Sequence, residues 1–202
     1  MVQLSSVTPK MKGAIFAEYL RWYATVYDGA KLTKAIRDNP ICRAGGLTDE
    51  PPVFGIVPSV WYRADVCHAV LDAATLNMSD IEKTRFVVDG TQFVADKLMS
   101  GVYAALVRWM GTPERFSAHI QAGWNQLHTS GEREIRIVKP GEALSLVRAW
   151  PGHHRLLCRM IHETARSVIA RMGIGTVTAT FENCVAFGHH ECVARLKWTK
   201  YR

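Results

Sequence analysis

No two of the five cysteines (Cys42, Cys67, Cys158, Cys184, Cys192) form a CxxC pair, and their number is odd. The expectation is free thiols, mostly buried as small hydrophobes, in a reducing compartment rather than a disulfide-stapled scaffold. No apolar run approaches the roughly 20 residues that a membrane span needs. The opening MVQLSSVTPKMKGAIF lacks the basic-then-apolar pattern of a secretory signal. Cytoplasmic location with no membrane span is therefore expected. No five or six like charges stand together, so the net charge of +7 and pI of about 9.3 read as a solvated basic surface. Nucleic acid is not an expected partner.

Catalytic signatures are equally sparse. There is no P-loop and no GxSxG elbow, and Gly173-Ile174-Gly175 is not a GxGxxG loop. The HETAR stretch starts like HExxH but has Arg166 where the second histidine belongs. Cys67 and His68 are helix neighbours that point about 100° apart, so they cannot form a catalytic pair. An enzyme is not expected.

What is present is a chain of 202 residues, 48% hydrophobic and 21% charged, enough for one domain with a real core. Residues 1–10 read as a flexible arm and 11–202 as a single ligand-binding or signalling module. MKGAIFAEYLRWYATVYDG reads as a helix stopped by Gly29, and a short helix through Ala30–Arg37 ends at Asn39-Pro40. The Pro- and Gly-rich stretch 39–59 reads as the longest loop. Ser59 is the expected N-cap of the next helix. Ser79 and Glu82 form a capping box that opens a helical region to about Met110, bent or broken at Asp89-Gly90. Thr112-Pro113-Glu114 starts another helix, with Phe116, Ile120, Trp124 and Leu127 on one face. Two strands then surround Lys139-Pro140-Gly141, a helix follows Pro151-Gly152, and two more strands close the chain. The fold class expected is α+β, with helices covering an antiparallel sheet.

The stretch FENCVAFGHHEC carries the densest chemistry. A hairpin turning near Gly188 places Cys184 opposite Cys192, with Glu182 on the Cys184 face. Cys158 faces inward from the preceding helix. Three thiolates with a carboxylate or imidazole make a closed zinc site; three buried thiols in a sheet–helix core are the plainer reading, and both stay open. His189 and His190 read as exposed turn residues. Cys158 near His154 and His162 is the one place where reactive chemistry is expected, if anywhere.

MKGAIF resembles the start of heme-nitric-oxide/oxygen-binding domains, and the ordered motifs VPSVWYRADVCHAVLDAA, GVYAALVRWMGTPERF, GWNQLHTSGERE and CVAFGHHECVARLKW resemble a family of uncharacterised proteins abundant in myxobacteria. That family is similar in fold to the 4-vinyl-reductase small-molecule-binding domain, to heme-nitric-oxide/oxygen-binding domains, to phenol-sensor domains and to TRAPP subunits. The resemblance spans about residues 11–198 and implies a hairpin–long helix–hairpin fold and a binding or signalling role. It also implies zinc at Cys158, Cys184 and Cys192, as in the phenol sensors. Those place the carboxylate three residues before the hairpin cysteine, where Phe181 stands here, so Glu182 is the nearby acid that could serve. Heme is not expected: His119 and His128 are on the right helix for an axial ligand, but LSLVRAW lacks the Tyr-x-Ser-x-Arg propionate clamp.

The expected function is a non-catalytic sensory module. Its apolar pocket lies between helices and sheet, lined by Phe116, Ile120, Trp124, Trp109 and His162. It takes a small apolar ligand and acts through an unknown signalling protein, with a homodimer as a further expectation. The alternative is a TRAPP-like interaction adaptor with a filled core and no ligand.

Overall fold

Alternating apolar residues in the C-terminal half pair into one antiparallel sheet of four strands. The structure is a computed structural model that describes residues 8–100 and 111–199, without the side chains of 98–100. The strands are β3 (Glu132–Lys139), β4 (Glu142–Arg148), β5 (Val177–Asn183) and β6 (Cys192–Trp198), in the order β3-β4-β6-β5. The central pair, β4 and β6, is the most buried, as strands flanked on both sides must be. Gly141 makes the first turn with φ 84° and Gly188 the last with φ 88°, conformations that favour glycine.

Two helices cover one face of this sheet. Helix α6 (Pro113–Leu127) starts as expected, with the Thr112 side chain accepting from the Arg115 amide at 3.3 Å and Pro113 in the first turn. Helix α7 (Arg155–Ala170) points Cys158, Ala165 and Ile169 inward. Phe116 and Ile120 of α6 pack with Ile135, Ala165, Ile169 and Leu196 in a core of their own.

The N-terminal half is helical: α1 (Gly13–Val26), α2 (Gly29–Asp38), α3 (Pro40–Ala44), α4 (Ala64–Thr75) and α5 (Asp80–Ser100). The Ser79–Glu82 capping box closes as expected, with the Glu82 carboxylate accepting from the Ser79 amide at 2.7 Å. Helix α5 packs on α1 and on α7 and so links the two halves.

Four sequence expectations give way. Ser59 caps nothing; Trp61–Arg63 is instead a strand, β2, paired with β1 (Lys10–Lys12), and α4 begins only at Ala64. Lys10 therefore belongs to the fold rather than to an arm, while residues 1–7 lie outside the described residues. Gly29 starts α2 rather than stopping α1, because the Asp28 side chain caps the Ala30 amide at 2.9 Å. Helix α5 runs unbroken through Asp89-Gly90; its expected extension to Met110 lies beyond the described residues. No helix among the described residues is long and apolar enough to cross a membrane.

Candidate functional site

The hairpin formed by β5 and β6 and the start of α7 bring three thiols and one imidazole together. Cys158 sits in the first turn of α7, Cys184 follows β5, and Cys192 opens β6. His153, just ahead of α7, places Nδ1 3.3 Å from Cys158 Sγ and 3.2 Å from Cys192 Sγ. Cys184 Sγ lies 3.5 Å from Cys192 Sγ, and the Val185 amide donates to Cys192 Sγ at 3.3 Å. The donor atoms of His153, Cys158 and Cys192 all lie within 4.8 Å of one another. Hydrogen bonding from Cys158 and Cys192, with help from the Ala186 backbone, pulls the Cys184 thiol toward the thiolate. Its partner Cys158 is pushed up by the same bonding, to Cys184 and Cys192, and by burial. Burial lowers the His153 pKa, so the ring offers a lone pair.

The expected fourth ligand, Glu182, is not part of this cluster. Glu182 keeps the outward phase of Thr178 and Thr180, and the bulge between Phe181 and Asn183 separates it from the face that Cys184 takes. Its carboxylate turns outward to accept from Arg195 Nε at 2.5 Å. His153 stands in its place. Sequence reasoning named the neighbouring His154, whose Nε2 instead meets Asp72 at 3.1 Å while its ring stacks on His68. A His-His pair directly before an inward cysteine was the available signal, but which histidine turns inward depends on how the chain enters α7.

Beside the thiols lies a cleft of about 370 Å³ between α5, α7 and the last hairpin. Leu156, Phe181 and Phe187 supply apolar walls; Lys83, Arg155 and Arg159 supply cations; Cys158, His162 and Cys184 are also in its lining. Arg159 lies over the Phe181 ring at 5.0 Å and donates to Thr84 at 3.0 Å. His162 is 1% exposed and its Nδ1 is 2.8 Å from Ser145 Oγ, while Nε2 has no partner among the described residues. Behind Ser145 lies Arg133, 4% exposed, whose guanidinium donates to Ser145 Oγ and to the Leu146 carbonyl, both at 2.8 Å. Burial pushes the Arg133 pKa down to about 9. Sequence reading missed Arg133, although it stands in the inward phase of β3 two residues before Ile135.

A second buried ring group lies at the end of α6. His128 stacks on Trp124 with centroids 3.5 Å apart and meets Trp150 edge-on. It is held there because Met11 of β1 bridges to it and the Thr129 amide donates to the Lys10 carbonyl. Neither His128 nitrogen nor Trp150 Nε1 has a hydrogen-bond partner among the described residues. Burial pushes the His128 pKa down to about 3, with the Trp124 backbone opposing.

The residues expected to line one pocket are distributed. His162 lines the cleft, Phe116 and Ile120 fill the sheet-side core, and Trp124 belongs to the larger core. Trp109 lies outside the described residues.

No protein-family model and no curated protein matches the chain. Solved structures do. The chain is similar to an H-NOX protein from K. algicida with unliganded Fe(II), at TM-score 0.68 and 11% identity, covering 95% of this chain and 98% of that one. It is similar to an H-NOX protein from S. oneidensis in the Fe(II)NO state, at TM-score 0.64 and 13% identity, covering 94% and 100%. An H-NOX structure from work on heme distortion gives TM-score 0.65 and 9% identity over 95% and 99%. The fold is therefore H-NOX-like, as the resemblance to heme-nitric-oxide/oxygen-binding domains implied.

These likenesses overturn the expectation that heme is improbable. That expectation rested on a missing propionate clamp, whereas the solved neighbours are iron and heme proteins over nearly their whole length. The one donor here that an iron porphyrin could use is His128, directly ahead of the first hairpin with both nitrogens unpartnered, although its ring is stacked on Trp124 and does not line the cleft.

Proposed function

We propose that this chain is a non-catalytic sensory module in which small-molecule binding is relayed to a signalling protein. The cleft between α5, α7 and the last hairpin takes the ligand. A soft divalent ion of the zinc class, held by Cys158, Cys184, Cys192 and His153, pins α7 to that hairpin. The observation that carries this reading is the donor cluster itself. His153 Nδ1, Cys158 Sγ and Cys192 Sγ lie within 4.8 Å of one another, and Cys184 Sγ stands 3.5 Å from Cys192 Sγ, close enough to complete a set of four. Around zinc, thiolates about 2.3 Å from the ion stand roughly 3.8 Å apart. A site with four protein ligands is closed, so the ion is structural and leaves no position for substrate. Two of its ligands, Cys158 and Cys184, also line the cleft, so occupancy of the cleft changes the surroundings of the clip. A ligand bound there biases the arrangement of α7 and the hairpin, and an interface with a signalling partner or a second copy reads that bias.

Heme is a second candidate ligand of this fold, and the observation that favours it is the unpartnered His128 imidazole. His128 would hold its iron, and the group when bound would supply a centre for diatomic gases.

Native against denaturing mass spectrometry of the purified chain tests both readings together. The expected result is an excess of one zinc per chain, lost in Cys184→Ser and retained in Glu182→Gln. A heme mass that disappears in His128→Ala would move the ligand to that second position. No mass excess of either kind, before or after incubation with zinc and hemin, removes both groups and leaves a filled-core adaptor.

A further inference from the structure

The direction of one buried hydrogen-bond relay defines what the cleft recognises. Arg133 has only N–H donors, so Ser145 Oγ accepts from it at 2.8 Å. The Ser145 hydroxyl proton has no other acceptor among the described residues, so donation to His162 Nδ1, also at 2.8 Å, is the arrangement that satisfies it. A neutral imidazole that accepts at Nδ1 carries its proton on Nε2. Burial and the neighbouring Arg133 charge both favour that neutral form. The relay thus ends in a buried N–H donor that has no acceptor among the described residues, on a ring that lines the cleft. An unsatisfied buried donor costs about 1–3 kcal/mol, so a ligand that supplies an acceptor there recovers it.

Charge narrows the class of that acceptor. Arg133 donates to two carbonyls, those of Glu134 and Leu146, and to one hydroxyl, and ion-pairs with no carboxylate among the described residues. A buried guanidinium without a counter-ion favours a nearby anion. At the rim, Arg159 and Lys83 also have no carboxylate partner among the described residues, whereas Arg155 is paired with Asp80 at 3.3 Å. Glu182, the other acid of the lining, is engaged by Arg195. Leu156, Phe181 and Phe187 leave an apolar surface between the rim cations and His162.

We propose that the cleft is a binding site for a small organic carboxylate, its head group accepting from His162 Nε2 and its apolar body lying against Phe181 and Leu156. This names the ligand class of the cleft in the sensory reading and rests on that reading. Arg159 and Lys83 guide the anion in, and the cleft volume suits a body of about one or two aromatic rings or a medium alkyl chain.

The test uses the metal-loaded full chain and matched probes: 2-naphthoate, 4-phenylbutyrate and octanoate, each beside its primary amide, with thermal melting and calorimetric titration as readouts. At least one carboxylate should raise the melting temperature and bind tenfold or more tightly than its amide. His162→Phe should weaken that binding at least tenfold. Arg159→Gln, at a rim position that leaves the relay intact, should weaken it several-fold if His162→Phe fails to fold. Amides that bind as well as acids, or a carboxylate bound equally by Arg159→Gln and His162→Phe, overturn the head-group assignment while leaving the cleft as a ligand site. If neither series binds at millimolar concentration, the assignment and the cleft reading fall together.

Discussion

His128 shows how much one side chain can be held away from its solution behaviour. Stacked on Trp124 and nine-tenths covered, it stays neutral because a charged imidazole there would have no partner. Its pKa of about 3 in the fold lies below the ordinary histidine value near 6.5. Between those two values the unfolded chain binds a proton that the folded chain does not. Stability therefore falls as pH drops from about 6.5 toward 3, by up to about 1.4 kcal/mol per pH unit for such a group. Urea unfolding at pH 7 and pH 5 should show this loss, reduced in His128→Leu. An equal loss in the variant would place the acid sensitivity elsewhere. The thiol cluster teaches a related lesson. The three thiols were legible because two flank a hairpin turn and one faces inward on a helix. The group beside them was not, because a bulge gives Cys184 a face that Glu182 does not share and the approach to α7 turns His153 inward rather than His154.

Helix α5 is the element where local and tertiary rules disagree. Asp89-Gly90 is a poor helix sequence, yet the helix passes through it because α1 needs the space. A Cβ on Gly90 would stand 2.3 Å from Tyr19 Cε1 and 2.6 Å from Trp22 Cζ3. Tyr19 is itself fixed, its hydroxyl donating to the Val87 carbonyl at 2.8 Å. Glycine costs about 1 kcal/mol of helix propensity relative to alanine, but overpacking against rigid rings costs about 1–3 kcal/mol. The second effect wins, so Gly90→Ala should destabilise the chain by on the order of 1–2 kcal/mol in denaturant unfolding. A neutral or stabilising result would mean that α1 and α5 are less closely packed than this. Strand β2 failed to show in the sequence for a different reason. Trp61–Arg63 is a strand only because Lys10–Lys12, far away in the chain, pairs with it.

At the scale of the whole molecule, a helical half and a sheet half meet at α5 and α7; the larger apolar core runs across that junction to Trp124, Val147 and Cys192, and the smaller lies within the sheet half. The cleft and the thiol cluster both lie where α7 meets the last hairpin, and the proposed ion joins those two elements directly. A ligand present at a hundredfold excess over its dissociation constant stabilises by about 2.7 kcal/mol. In a chain of this size that corresponds to roughly 5–10 °C of melting temperature. A strong chelator should therefore lower the melting temperature of the purified chain by about that much, with zinc restoring it, and should leave Cys184→Ser unaffected. Identical melting with and without chelator would remove the ion from the account of stability.

The sequence by itself determined what depends on neighbours along the chain. Period, caps and turn residues gave the hairpin–helix–hairpin order, the α6 start at Thr112-Pro113, the Ser79 capping box and the inward face of Cys158. The family resemblance, carried by motifs in order, led to the H-NOX-like fold. Only the tertiary structure decided what depends on distant approach. It placed His153 beside the thiols, set the Arg133–Ser145–His162 contacts, ran α5 through Gly90 and paired β1 with β2. It also brought heme back as a candidate, because the absence of one clamp motif is local information and a likeness of the whole fold to heme proteins is not. A side chain's type and phase are written in the sequence; its counter-ion, ligand or orphaned proton is set by elements that meet only after folding.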